Sequence, residues 1–284
     1  MKIAVASGKG GTGKTMVAAN LAYAVSFSSE VTLADCDVEE PNLHLFFPSP
    51  ARETTIVSVQ RPVIDEQACD RCGRCADFCR YGAIAVTKDR TLMFPALCHS
   101  CGGCTFVCPR GAVHEEPAPI GRIICKRPLA GITLVSGILD EGQPIASPLI
   151  RAVKEMASGT GPVIYDCAPG TSCAVVETLD GCDACILVTE STPFGLHDLS
   201  LATDVARRLG VPAGVVINRS DGCDRPTLEF CQDKGLPVLM TIPFERWIAA
   251  VQNNGQLITA ARSAWRTAFT ELFARTSALA GGGQ

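Results

Sequence analysis

Eight of the sixteen cysteines in this 284-residue chain keep a strict spacing. Cys69-x₂-Cys72-x₂-Cys75-x₃-Cys79 is followed by Cys98-x₂-Cys101-x₂-Cys104-x₃-Cys108-Pro109. Three closely spaced thiolates wrap one face of an iron–sulfur cubane, and a fourth must come from elsewhere. Helix geometry after the third cysteine sends the fourth to the other cluster. One 4Fe–4S cluster is therefore expected on Cys69, Cys72, Cys75 and Cys108, and a second on Cys98, Cys101, Cys104 and Cys79. Zinc competes, because C-x₂-C pairs bind it, but the duplicated triplet-plus-one pattern fits two clusters better. Arg71, Arg74, Arg80 and Arg110 lie beside these cysteines. They either offset cluster charge and raise the potentials or form a solvated charged surface.

A second chemical signal opens the chain. Gly8-Lys9-Gly10-Gly11-Thr12-Gly13-Lys14-Thr15 follows the apolar run Ile3–Ala6 and fits G-x-x-x-x-G-K-[ST]. Its glycines let backbone N–H groups point into the loop and cradle phosphate oxygens, and a following helix adds its positive end. Lys14 is expected to meet the β/γ-phosphates and the Thr15 hydroxyl to ligate Mg²⁺. Lys9 puts a second cation beside the phosphates or within reach of a neighbouring chain. Asp35 and Asp37 end the Val31–Ala34 run, and Asp166 ends Val163–Tyr165. That is the carboxyl edge where α/β proteins bind ligands.

GKGGTGKT resembles the deviant Walker A loop of the MinD/ParA and nitrogenase iron-protein class. The resemblance implies ATP/ADP and Mg²⁺ as ligands, and ATP-dependent dimerisation in which Lys9 crosses to the other subunit's nucleotide. It makes Lys9, Lys14 and Asp37 the catalytic set, with Asp37 positioning the attacking water. It puts Asp35 and Asp166 in the outer shell of Mg²⁺, Gly170 at the γ-phosphate and Asn218 at the adenine. The cysteine segment resembles a bacterial two-cluster ferredoxin, except that Arg80 follows Cys79 where proline is common. DCAPGTSC, LVTESTPFGLHDL, VVINRSD and PALCHSCGGC support a MinD-superfamily ATPase with an inserted ferredoxin domain.

The remaining cysteines are Cys36, Cys125, Cys167, Cys173, Cys182, Cys185, Cys223 and Cys231. Each reads by default as a small buried hydrophobe. Cys173 sits seven residues past Asp166, where the nitrogenase iron protein holds a bridging cluster, but Ser136–Pro148 lacks the second cysteine such a cluster needs. Cys182-x₂-Cys185 resembles the bridging pair of Mrp-type carriers, yet Cys185 enters an apolar strand and is expected to be buried.

The elements that must position these groups alternate. Apolar runs at Ile3–Ala6, Val31–Ala34, Ile132–Val135, Val163–Tyr165, Ala184–Val188, Ala213–Ile217 and Pro237–Ile242 read as strands. Thr15–Ser26, Pro148–Ala157, Cys173–Leu179, Leu196–Leu209 and Arg225–Lys234 read as helices. This predicts an α/β fold with a mainly parallel, doubly wound sheet covered on both faces. Cys, Gly and Pro spacing takes over between residues 63 and 117, flanked by proline-rich joints at Arg61-Pro62 and Glu116-Pro117-Ala118-Pro119. A small α+β ferredoxin-type domain is expected over 63–117, inserted into an ATPase domain of residues 1–62 and 118–284. The Gly281–Gly283 stretch reads as a flexible tail.

Composition narrows the function. Lys and Arg number 25 against 29 Asp and Glu, a net charge of −4, and no nucleic-acid partner is expected. No apolar run reaches about 18 residues, so a membrane span is not expected. The amino-terminal sequence lacks a secretory pattern, and a cytoplasmic location is expected. The leading expectation is an ATPase whose dimerisation, with itself or a related chain, drives electron transfer or metallocofactor maturation in a redox or metalloprotein partner. The alternatives are a cluster carrier and a spatial organiser of the MinD/ParA kind. The organiser would need a membrane-binding helix, for which Trp265, Ala268, Phe269, Leu272 and Phe273 supply a stripe at helical spacing near Arg262, Arg266 and Arg275. A terminal helix docked on the sheet explains the same stripe.

Overall fold

The computed structural model describes residues 1–159 and 161–281. Its strands are β1 (Lys2–Ala6), β2 (Val31–Asp35), β3 (Glu53–Ile64), β4 (Ile84–Val86), β5 (Thr91–Met93), β6 (Val113–Leu129), β7 (Ile132–Leu139), β8 (Val163–Asp166), β9 (Ala184–Glu190), β10 (Ala213–Ser220) and β11 (Val238–Pro243). Its helices are α1 (Lys14–Val25), α2 (Arg74–Phe78), α3 (Gly103–Val107), α4 (Ser147–Met156), α5 (Cys173–Leu179), α6 (Pro193–Arg208), α7 (Arg225–Asp233), α8 (Arg246–Asn253), α9 (Ile258–Ala261) and α10 (Ser263–Gly281).

Nine strands form one sheet in the order β11-β10-β9-β1-β8-β2-β7-β6-β3. The seven from β11 to β7 are parallel, and β6 runs antiparallel to both of its neighbours. The alternation of β1 explains the layering. Ile3 and Val5 pack into the core beneath α1 and α10, whereas Ala4 and Ala6 face the core beneath α4, α5 and α6. Strands buried on both faces read as continuous apolar runs, which is why their positions are legible.

The proline-rich joints are not linkers. Glu53–Ile64 and Val113–Cys125 pair with each other, from Glu53↔Cys125 to Ile64↔Val113, as an antiparallel arm. Gln60 faces Pro117 and Pro62 faces Glu115. Pro117 and Pro119 are tolerated because β7 reaches only Gly121, so the outer half of β6 has a strand on one side alone. The compact tip is thus residues 65–112, narrower than the expected 63–117. It contains α2, α3 and the β4–β5 pair, two short helices in a segment that lacks helical periodicity.

The carboxy-terminal stripe faces inward. Phe269 and Leu272 are fully buried against α1 and the sheet, and Arg275 donates to the Leu239 carbonyl at 2.9 Å. Phe269→Ala is expected to destabilise the chain by about 3–4 kcal/mol, the cost of a large core cavity; a fall in the denaturant midpoint at unchanged slope checks this. Among the described residues no helix is long and apolar enough to cross a membrane. Gly281 ends α10, and the rest of the glycine tail lies outside the described residues.

Candidate functional site

The phosphate loop joins β1 to α1 at the carboxyl edge of the sheet. Gly13 caps α1 with φ +94°, and a side chain there would also strike the Asn218 carboxamide. No side chain caps the helix, so the first-turn N–H groups remain available for an anion. Lys14 is buried and Thr15 is half-buried. The Ser7 hydroxyl donates to the Lys9 carbonyl at 2.5 Å, and the Gly170 N–H donates to the Ser7 carbonyl at 3.0 Å. The loop and the segment after β8 are thereby tied together.

Three carboxylates converge on this loop. Asp35 and Asp166 are register partners on adjacent strands, and both are almost wholly buried. Asp35 Oδ2 accepts the Leu43 N–H at 3.0 Å, which ties the short helical turn Leu43–Leu45 in the segment after Asp37 to the end of β2. Oδ1 of Asp35 and Oδ1 of Asp166 are buried without a partner. Burial first, and the neighbouring Asp166 second, push the Asp35 carboxyl well above the usual range. Burial pushes Asp166 up to about 7, against the lowering effects of the Thr15 hydroxyl and Lys14. Asp37 is half-buried and is pushed up to about 6 by burial, although Lys14 pulls it down. Two orphaned buried carboxylate oxygens beside a lysine and a threonine hydroxyl suit a hydrated divalent cation.

The structure brings Asn218 to the loop by an unexpected contact. Its Nδ2 donates to the Thr12 carbonyl at 2.7 Å, and the residue is buried. Asn218→Ala is expected to weaken nucleotide binding about tenfold through loss of this brace; calorimetric titration with ADP checks it. Asn218 also lines a cavity with Arg219, Pro243, Phe244 and Ile248. Lys9 Nζ lies 4.0 Å from Glu190 Oε2, and Arg219 Nη1 lies 2.6 Å from Glu190 Oε1. Sequence reasoning missed Glu190 and Arg219, because only folding brings the ends of β9 and β10 to the loop, and Phe244, which follows β11 and lines the cavity beside Asn218.

At the end of the arm, the eight patterned cysteines form two groups. Cys69, Cys72, Cys75 and Cys108 line one cavity, and Cys79, Cys98, Cys101 and Cys104 line another. The two halves repeat at an offset of 98 − 69 = 29 residues. Arg71 and Ser100 share the left-handed conformation at φ 59° and 52°. Gly73 and Gly102 (82° and 73°) and Gly82 and Gly111 (63° and 61°) do so too. The helices Arg74–Phe78 and Gly103–Val107 correspond residue for residue. Burial raises the Cys75 and Cys104 thiols. For Cys108 burial acts upward, but the N–H groups of Arg110, Ala112, Val113 and Gly111 together hold it below the ordinary thiol value. The thiols line a space rather than meet at a point; among the described residues no three His, Cys, Asp or Glu side chains are grouped to hold a single metal ion. Arg71, Arg74 and Arg110 border the first cavity and Arg80 the second. Arg71 donates to the Asp89 carbonyl at 3.0 Å.

The other cysteines separate by burial. Cys36, Cys167, Cys182, Cys185 and Cys231 are core residues, and the Cys182 thiol donates to the Thr178 carbonyl at 3.2 Å. Cys125 is half-buried. Cys173, at the start of α5, and Cys223 are exposed.

A family model described as the CobQ/CobB/MinD/ParA nucleotide binding domain matches residues 3–258. Two Methanocaldococcus jannaschii proteins, MJ0579 and MJ0578, both named as uncharacterized, are each 32% identical to the chain. The first match covers 77% of this chain and 80% of the relative, the second 70% of each. Among solved structures, the septum site-determining protein MinD of Pyrococcus horikoshii, complexed with Mg-ADP, aligns with a TM-score of 0.59 at 20% identity. That alignment covers 95% of this chain and 93% of the other. A ParA family ATPase of Chlorobium tepidum aligns at 0.58 and 15% identity, covering 95% of each chain. At these identities the likeness concerns the fold.

Proposed function

Because the chain belongs to the CobQ/CobB/MinD/ParA nucleotide-binding family, we propose that it is an ATPase whose nucleotide-driven association is coupled to electron transfer, or to metallocofactor maturation, in a redox or metalloprotein partner. The observation that carries the coupling is the duplicated thiol-lined tip, mounted on an arm whose base is part of the nucleotide-site sheet. Bound in the two cavities, a pair of 4Fe–4S clusters supplies one-electron storage.

The chain's own residues divide the work. The loop from Gly8 to Thr15 binds phosphate through backbone N–H groups and Lys14. Thr15 ligates Mg²⁺, and Asp35 and Asp166 hold its water shell. Asp37, at the open end of the site, orients the attacking water. Lys9, held beside Glu190, turns to the nucleotide of a second subunit, identical or related, when the dimer forms. Gly170 meets the γ-phosphate and Asn218 supports the base pocket. In the tip, Cys69, Cys72, Cys75 and Cys108 hold one cluster and Cys98, Cys101, Cys104 and Cys79 the other.

The test uses anaerobically prepared full-length protein. About eight irons per chain, Mg²⁺-dependent ATP turnover and a shift of the midpoint potentials on adding Mg·ATP are expected. Lys14→Ala is expected to lower turnover by about a hundredfold or more and to remove the shift while keeping the iron. Potentials indifferent to bound nucleotide would overturn the coupling. The MinD and ParA structural neighbours favour a second reading, a nucleotide-switched positioning protein. It expects ATP-dependent binding to a surface or partner with the tip cysteines dispensable; such binding by a Cys72→Ala, Cys101→Ala variant would select it.

A further inference from the structure

A continuous set of contacts leads from the nucleotide site to the arm. Asp37 stands beside Lys14, and the next residue, Val38, is buried. The Val38 carbonyl accepts the Leu139 N–H at 2.8 Å, which extends the β2–β7 ladder past Asp35↔Ser136. Val38 also fills the space that a side chain at Gly137 would occupy. The loop to α4 starts at Asp140, whose N–H donates to the Ile120 carbonyl of β6 at 2.9 Å and whose carboxylate lies 3.8 Å from Arg122. Farther along the same loop, Gln143 Oε1 accepts from Arg61 Nη2 at 2.5 Å.

Arg61 lies opposite Glu116 in the outer half of the arm, where β6 has no neighbour but β3. Beyond the one backbone hydrogen bond from Asp140 to Ile120, that half is held to the body by side chains rather than by a ladder. Arg61 Nε is buried and unpartnered, so the contact with Gln143 leaves the guanidinium incompletely satisfied. A contact that leaves a buried donor unsatisfied is weakly held, so it is a place where a change in the loop can reposition the arm.

We propose that the loop from Asp140 to Ala146 is a strut by which the nucleotide site sets the position of the cysteine-bearing tip, with Val38 at one end and the Gln143–Arg61 contact at the other. Gln143 and Arg61 are positioning residues, remote from both reaction centres. The inference rests on the functional reading above, since it needs a nucleotide at the loop.

Hydrogen exchange on the full-length protein tests it, with nucleotide binding measured separately by calorimetry. Addition of Mg²⁺ and a nonhydrolysable ATP analogue is expected to change exchange at amides 58–64 and 113–120 by about fivefold or more. Gln143→Ala is expected to cut that response below about twofold with analogue affinity unchanged, and Gln143→Glu, which pairs with Arg61, to retain it. A wild-type protein that binds the analogue without an arm response, or a Gln143→Ala response equal to wild type, overturns the strut and leaves the ATPase reading intact. A chain that binds no analogue overturns that reading, and the strut falls with it.

Discussion

Asp166→Asn is expected to make the nucleotide-free protein more stable at pH 8 while lowering Mg²⁺-dependent ATP turnover about a hundredfold or more, the size of several kcal/mol of metal-linked charge stabilisation. Both effects come from one buried oxygen without a partner. Burial pushes the Asp166 carboxyl from 3.8 up to about 7. Below pH 3.8 the native and unfolded chains both carry the proton, and above about 7 neither does. Between these values the native state binds more protons than the unfolded one, so stability falls as pH rises. The penalty is greatest above about 7, where the native chain must hold the buried anion without a partner. Asn removes the charge and with it this penalty. Thermal unfolding of the nucleotide-free protein from pH 4 to 8 should therefore show a downward slope that flattens in the variant. An unchanged slope would mean that Asp166 is not a buried, uncompensated anion.

Asp37 adds a smaller contribution of the same sign over 3.8 to about 6, tempered by its partial exposure. On the proposed function, a bound Mg²⁺ would reverse the situation by supplying the partner that both strand-end carboxylates lack. The protein stores instability at the carboxyl edge, which binding of the proposed nucleotide and cation would relieve.

The parallel strands were readable because burial on both faces leaves an uninterrupted apolar run, as in Ile3–Ala6 and Ala184–Val188. The glycine–lysine loop was readable because backbone conformation dictates it; Gly13 at φ +94° tolerates no other residue cheaply. The arm was not readable. Glu53–Ile64 packs on one side only and its burial alternates, but Ile56 is an apolar residue facing outward and Arg61 a charged one turned partly inward, so the residue types hide the pattern, and Pro62, Pro117 and Pro119 argue against strands except at an unpaired edge. The braces of the site were equally hidden. Asn218 is 206 residues from Thr12, and Glu190 meets Lys9 and Arg219 only because β9 lies between β1 and β10. Composition and spacing report what a residue is, and pairing order decides what it meets. For the tip cysteines the spacing was itself the signal, and the 29-residue repeat of backbone conformation agrees with it.

Paired cysteine variants test the crossed ligation proposed above. Cys108 is close in sequence to Cys104, yet it lines the cavity of Cys69, Cys72 and Cys75; Cys79 lines that of the second triplet. Removing one ligand of a cubane is expected to release that cluster, so Cys72→Ala and Cys108→Ala should each lower iron from about eight to about four per chain. The double variant should also hold about four, because both changes strike the same cluster and their effects do not add. Cys72→Ala with Cys79→Ala should hold almost none, since it strikes both. Ligation without crossing predicts the reverse: the first pair would empty the tip and the second would leave one cluster. Retained nucleotide binding in each variant shows that the nine-stranded sheet has folded. The reversal would detach the fourth cysteine of each motif from the cavity that geometry gives it, and equal losses in all variants would mean that the two halves of the tip hold iron only as a unit.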